Sequence, residues 1–396
     1  MDPHYRELFN AAYTPERYAS MQRELSRRLD CVFEFRLAET PIFLPPEFEQ
    51  RIVAAANAIV EQLSDPRRIA AMKRAIPARW DTPGMDALPS FTQVDFAVVR
   101  DGDGYVPKLI ELQGFPSLTA FQVVQRDVWR DTMRAMPGLD RPWSCWFSGL
   151  DRDAFLRYAR RTILGAHDPH EVVLMDIEPR AQKTYPDFSA TKLLFSVDAV
   201  DPRELTRRGN QLFCRDGTRV RRIYNRVVFD ELLKKNIELP FDYRDDIDVE
   251  WAPHPNWYWV WSKFSLPFLD HPSVPKATFV SELGRVPDDF TQRYVLKPLF
   301  SFAGGGVNVE PTAADLDAIP ADERGAWCVQ EKIEYAPALQ APDGGVKIEI
   351  RMMFLRPDDE KRPLLTQNLV RLSRGKMLGV DFNKQFTWVG SSIAVH

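Results

Sequence analysis

Cysteine is scarce and scattered. Cys31, Cys145, Cys214 and Cys328 show no paired spacing in 396 residues, which argues against a disulfide framework or a cysteine-based zinc site. The six histidines are equally dispersed. None sits in a His-Glu-x-x-His pattern or beside a Gly-x-Ser-x-Gly elbow, so the matching hydrolase chemistries have no support. His254, in a stretch rich in Trp and Pro, reads as structural. No run approaches the roughly 20 apolar residues of a membrane span; the aromatic stretch WYWVWSKFSLPFL is broken by Ser262, Lys263 and Pro267. The opening MDPHYRELFN has no apolar signal core, so no membrane partner and a reducing cytoplasm are expected. A basic excess is missing too: 52 Lys and Arg against 56 Asp and Glu give a net charge of −4. Arg207-Arg208 and Arg219 to Arg222 are local clusters without a basic domain, so no nucleic-acid partner is expected.

What remains has the balance of a globular enzyme, 44% apolar and 27% charged. Its length suits two or three domains, divided at 1–150, 151–250 and 251–396. Residues 1–80 read as mostly helical, with Ile52, Ala55, Ala56, Ile59, Val60 and Leu63 at helical spacing. Residues 92–118 alternate around Asp-Gly-Asp-Gly and predict a β-hairpin carrying carboxylates. Residues 120–165 look helical, 171–177 form a buried strand, 189–196 are helical, and 210–233 read as strand, Asp-Gly turn, strand and helix. This alternation predicts a small α/β domain. Residues 253–275 read as a connector, and strands with glycine-rich turns recur from 292 onward.

The chemistry lies in two places. In YVLKPLFSFAGGGVNV (294–309) a strand delivers Lys297 to a loop holding Gly304, Gly305 and Gly306. Glycines let backbone N–H groups approach phosphate oxygens, and lysine adds a point charge. A plain glycine-rich hairpin explains the loop alone equally well. WCVQEKIEY (327–335) and KIEIRMMFL (347–355) follow; Glu349 and Arg351, two apart on a strand, share a face. LVRLSRGK adds Arg371 and Lys376. The second place is the front hairpin, where Asp95 lies on one strand and Glu111 and Gln113 share a face of the next. Oxygen ligands of this kind suit Mg²⁺, which takes one or two carboxylates together with substrate phosphates.

The run "Leu-Lys-Pro … Gly-Gly-Gly", "Val-Gln-Glu-Lys-Ile", "Glu-Ile-Arg" resembles the ATP-binding portion of the ATP-grasp superfamily. The resemblance implies phosphate contacts for Lys297, Lys263 and the loop Gly304–Gly306. It implies an adenine-reading hinge at Gln330, Glu331, Lys332 and Ile333, and makes Glu334 the candidate ribose acid. QVDFAVVRDGDGYVPKLIELQGFPSL resembles the family's magnesium strands, implying Asp95, Glu111 and Gln113 as ligands. Metal strands first and nucleotide strands last is the order of circularly permuted members such as glutathione synthetase and glutathionylspermidine synthase. Residues 212–226 resemble the α/β domain inserted in those enzymes. The fold class implied is α+β, a permuted ATP-grasp with a small α/β insertion. Two departures stand out: Gln113 replaces the usual asparagine, and Ala303 precedes the glycines where glutathione synthetase has a metal-binding glutamate. The family reaction joins a small-molecule carboxylate to an amine with ATP and Mg²⁺, through an acyl phosphate. Arg351 and Arg371 then stabilise the phosphoryl group or grip the substrate carboxylate, with Asn383 a further contact. Alternatives are a small-molecule kinase of the same fold and a nucleotide-binding module without turnover. Nothing in the sequence sets the oligomeric state.

Overall fold

The computed structural model describes residues 1–284, 286–301, 305–375, 383 and 385–396. The helical N-terminal part comprises α1 (Pro3–Ala12), α2 (Pro15–Leu29), α3 (Pro46–Leu63) and α4 (Pro66–Met72), with the two-residue β1 (Ile42–Phe43) before α3. Each of these helices opens on proline, whose missing N–H would have had no partner there anyway. Asp2, Thr14 and Asp65 cap α1, α2 and α4 by accepting from backbone N–H groups. Helix α3 buries Ile52, Ala55, Ala56, Ile59, Val60 and Leu63, the stripe read from the sequence. Among the described residues no helix is long and apolar enough to cross a membrane.

The hairpin is β2 (Phe91–Asp101) and β3 (Gly104–Gln113), turning through Gly102 at φ 57°. Helices α5 (Thr119–Arg134) and α6 (Arg152–Leu164) follow, with 135–151 largely irregular between them. Then come β4 (Val172–Met175), α7 (Tyr185–Phe195) and β5 (Asp198–Val200), a small antiparallel sheet of β6 (Thr206–Arg208), β7 (Gln211–Phe213) and β8 (Arg219–Val220), and β9 (Arg222–Asn225), α8 (Phe229–Lys235) and β10 (Glu250–Ala252). Strands β10-β9-β4-β5 form one parallel sheet in that order. The strand–helix alternation predicts such a sheet, because parallel neighbours need a crossover between them.

The aromatic stretch after β10 is core rather than linker. Trp257–Val260 makes the short helix α9, Lys263–Phe268 a 3-10 helix, and Trp257 and Trp261 are fully buried. A second antiparallel sheet follows, with strand order β11 (Ala277–Phe279), β13 (Trp327–Glu331), β12 (Tyr294–Pro298). The short helices α10 (Phe290–Arg293) and α11 (Ala313–Asp317) accompany it. This unit has its own apolar cluster of Val280, Phe290, Leu296, Leu316, Ile319 and Val329, separate from the main core. The chain ends with β14 (Leu339–Ala341), β15 (Gly344–Leu355), β16 (Leu364–Ser373), β17 (Gly390–Ser392) and β18 (Ala394–Val395). The large sheet runs β17-β16-β15-β2-β3, with β14 also on β15, and β18 pairs with β1. The front hairpin and the last long strands therefore share one sheet.

Asp176 follows β4 at the carboxyl end of the parallel sheet and is buried. Burial pushes its carboxyl up to about 7 against the pull of Arg226. A raised folded pKa stabilises the fold at acid pH, and that contribution is lost as pH rises from about 4 through 7. Asp176→Asn stays neutral throughout. Its melting temperature should match the wild type near pH 4 and exceed it at pH 8, a difference on the order of 2–4 kcal/mol. Parallel melting curves across that range would show that Asp176 ionises normally.

Candidate active site

Charge is arranged across the large sheet by strand register. Asp95 on β2 pairs with Glu111 on β3 and, on its other side, with Arg351 on β15. One step along, Glu349 on β15 pairs with Arg371 on β16. Residues two apart on a strand share a face, so Glu349 and Arg351 lie together, as do Glu111 and Gln113. Arg351 donates from Nε and Nη2 to the two oxygens of Asp95, each at 2.6 Å. Arg371 Nη2 donates to Asp95 Oδ2 at 2.6 Å and also to Glu349 Oε1. Tyr335 OH donates to Glu349 Oε2 at 3.3 Å.

The smaller sheet brings lysine to the same place. Lys297 on β12 is buried, and its Nζ donates to Gln330 Oε1 at 2.6 Å and to Ile110 O at 2.9 Å. Ile110 is the extra residue of a β-bulge, where the pairing steps from Asp95↔Glu111 to Phe96↔Leu109. Lys263 opens the 3-10 helix after the tryptophans; it donates to Ser301 O and stands 3.7 Å from Glu111 Oε2. Gly114 makes this approach possible, since a Cβ there would lie 3.0 Å from Trp257 O and 3.1 Å from the Trp261 Cβ.

Ser301 leads into the glycine loop. Gly305 and Gly306 are exposed, Gly306 at φ 72°; Gly304, Ala303 and Lys376 lie outside the described residues. Gln330 is buried, and Glu331 ends β13 and accepts from the Lys276 N–H at 3.2 Å. Lys332 and Glu334 are exposed and Ile333 half-buried on the irregular link to β14. Among the described residues, neither Ile333 nor Glu334 makes a backbone hydrogen bond. Asn383 accepts from the Arg374 and Gly375 N–H groups at 3.0 and 2.9 Å. His254 is buried, with Nε2 3.0 Å from Pro83 O, far from any carboxylate of this cluster in its bonding.

Four cationic side chains thus face three carboxylates. Burial alone would raise the Glu111 carboxyl, but Lys263, Arg371, Lys297 and Arg351 together outweigh it and hold it well below the usual range. Glu349 goes the other way: burial raises it, Asp95 and Glu111 add to the rise, and Arg371 and Arg351 only partly oppose them. Burial lowers the Lys297 ammonium, with Glu111 opposing. Burial also works against charge on Arg371, yet Glu349, Asp95 and Glu111 keep it firmly protonated. The cluster carries surplus positive charge, which suits an anionic ligand.

The donor set for a magnesium ion follows from the hydrogen bonds. Gln113 Nε2 donates to Phe115 O at 3.2 Å and to Gln93 Oε1 at 2.9 Å, while Gln93 Nε2 donates to Ser117 O at 3.1 Å. Carbonyls only accept, so this chain fixes both amides and turns the Gln113 oxygen away from those partners. Glu111 and Gln113 border a cavity with Lys263, Tyr258, Phe300 and Ser301. One carboxylate and one amide oxygen on one strand face fit a single Mg²⁺ that keeps waters and phosphates as its other ligands. Among the described residues, no group of three or more His, Cys, Asp and Glu forms a metal cage. The cavity is only about 20 Å³, room for about one water. Gln93 and Tyr335 escaped the sequence reading. Gln93 was within reach of it, being two residues before Asp95 on the same strand; Tyr335 stands on an irregular link, where periodicity says nothing.

Compared with known proteins, the fold is that of a glutathione synthetase-like chain. The solved structure of a glutathione synthetase-like effector from Globodera pallida, in apo form, matches with a TM-score of 0.57. The match covers 94% of this chain and 95% of that one at 14% identity, so it shows the fold alone. No family model and no curated protein matches the chain.

Gly114 offers a test of how the two halves meet. Gly114→Ala places a methyl against the Trp257 carbonyl and the Cβ atoms of Trp257 and Trp261, an overpacking expected to cost about 1–3 kcal/mol. The melting temperature should fall and the tryptophan emission should shift. A variant with both unchanged would mean that the strand end and the tryptophan turn are not in contact.

Proposed function

We propose that the chain is an ATP- and Mg²⁺-dependent ligase of the permuted ATP-grasp type, joining a small-molecule carboxylate to an amine. The observation that carries the reading is the meeting of Glu111 and Gln113 with Lys263 and Ser301, the base of the glycine loop, around one cavity, with Lys297 bonded to Ile110 O next to Glu111. The glutathione synthetase-like fold supports it. So does the order in the chain, with the carboxylate hairpin before the lysine strands.

On this reading the unbonded backbone at Ile333 and Glu334 reads the adenine, within the hinge that Gln330, Glu331 and Lys332 begin. Lys297 and Lys263 exchange protein oxygen partners for phosphate oxygens, and the Gly304–Gly306 loop is the further phosphate contact. Glu111 and Gln113 would hold Mg²⁺, which when bound would supply charge neutralisation for the phosphates. Arg371, half-buried and fixed by two carboxylates, faces the charge that develops as the γ-phosphoryl group leaves ADP. The substrate carboxylate oxygen attacks phosphorus and forms an acyl phosphate. The amine then attacks the acyl carbon, losing a proton and expelling phosphate. Most of this work is positioning and electrostatics, for which a rigid charged sheet is suited.

Lys297→Met keeps the length and removes the charge. It should weaken ATP binding by about 1.5–3 kcal/mol, roughly 10- to 150-fold, with a smaller effect on folding; unchanged affinity by calorimetry would take Lys297 out of the site. For turnover, Glu111→Gln should abolish Mg²⁺-dependent ADP release while the fold persists. ADP release that needs both an acid and an amine identifies the ligase, and release with an acid acceptor alone identifies a kinase. Wild-type protein that binds ATP yet never turns it over, with Glu111→Gln binding equally well, would replace the ligase by a nucleotide-binding module.

A further inference from the structure

Asp95, Glu111 and Glu349 converge on one face of the large sheet, enough acid to hold two divalent cations. The arginines change that count. Arg351 lies directly opposite Asp95 in the β2–β15 register, and Arg371 directly opposite Glu349 in the β15–β16 register. These partnerships are set by strand pairing, not by a surface side chain choosing among rotamers. Arg351 engages both oxygens of Asp95 with its planar fork, and Arg371 adds a third bond at 2.6 Å. Asp95 is 1% exposed and Arg351 7%, so neither has room to swing out. A cation bound to Asp95 would stand beside two guanidinium groups, and like charges that close repel strongly inside a protein. Glu111 feels the same four cations, but its one ion-pair partner among the described residues is Lys263 at 3.7 Å, and no guanidinium fork occupies its oxygens as Arg351 occupies those of Asp95.

Resting on the reading above, we propose that Asp95 is a positioning residue and that the site takes one divalent cation per chain. Asp95 holds the Arg371 guanidinium where a second cation would otherwise neutralise phosphate charge. The single cation sits on Glu111 and Gln113.

Mn²⁺ is a countable probe. The whole chain, saturated with a non-hydrolysable ATP analogue, is titrated with Mn²⁺ and followed by electron paramagnetic resonance. The expected count is one Mn²⁺ per wild-type chain, with affinity at least tenfold lower in Glu111→Gln. Two Mn²⁺ per wild-type chain overturns the proposal, and this count needs no variant to fold. Analogue binding without any divalent cation gives the second readout. It should fall at least fivefold in Asp95→Asn and recover in Asp95→Glu. Loss of the Mn²⁺ itself in a folded Asp95→Asn would make Asp95 a ligand and overturn the proposal. If the analogue fails to bind under every condition, the ligase reading falls and this inference with it; binding with two Mn²⁺ removes the inference alone.

Discussion

A single misstep in strand pairing governs how the two halves of the candidate site meet. At Ile110 the β2–β3 ladder carries one residue too many, and the displaced carbonyl accepts from Lys297. Without that bulge the ladder would use the carbonyl itself, and a buried ammonium would face an apolar strand. Gln330 completes the arrangement, accepting from Lys297 through Oε1 while its Nε2 reaches Leu109 O at 3.5 Å. A buried lysine is costly unless its protons are placed. The cost is met here by atoms from both sheets, so the lysine fixes their relative position.

Around this joint the charges follow the same logic. Register sets Asp95 against Arg351 and Glu349 against Arg371, and each buried ion is matched by at least one opposite neighbour. Removing one member of such a set is expensive, because its partner is left buried and uncompensated. The same holds at the junction with the small parallel sheet. Asp187 on α7 accepts from the Ala120 and Phe121 N–H groups at 2.9 Å, capping α5, and pairs with Arg226 at 2.5 Å.

Much of this was legible in the residues, and what was not has identifiable causes. The α3 stripe, the Asp-Gly hairpin and the strand–helix alternation of 171–233 are local patterns, and local patterns survive folding. The placing of Glu111 and Gln113 on one face followed from the period of a strand. The stretch at 253–275 read as a connector because Pro and Trp interrupt any period; in the fold its tryptophans are core, and Lys263 is held among them. The helix expected at 189–196 begins earlier, at Tyr185, with Pro186 in its first turn, where proline belongs. The capture of Asp95 by two arginines was hidden for a simple reason. Arg351 and Arg371 lie more than 250 residues downstream, and only the order of strands in the sheet brings them to Asp95.

The separate apolar cluster under β11, β12 and β13 has a mechanical meaning. It gives this unit a rigidity of its own, while Phe279, Leu299 and Cys328 tie the unit into the main core and Phe279 packs on Phe264 and Phe268; the polar bonds across the same seam are Lys297 to Ile110, Gln330 to Leu109 and Lys263 to Ser301. Phosphate oxygens or water can replace every one of them. The small parallel sheet is joined in another way, through the Asp187–Arg226 ion pair and the bonds of Asp187 to the start of α5. The three-stranded unit is thus seamed to the large sheet by apolar contacts that water cannot replace and by polar bonds that it can. The cleft beside that seam has room for about one water, so any larger ligand must part some of these contacts to enter.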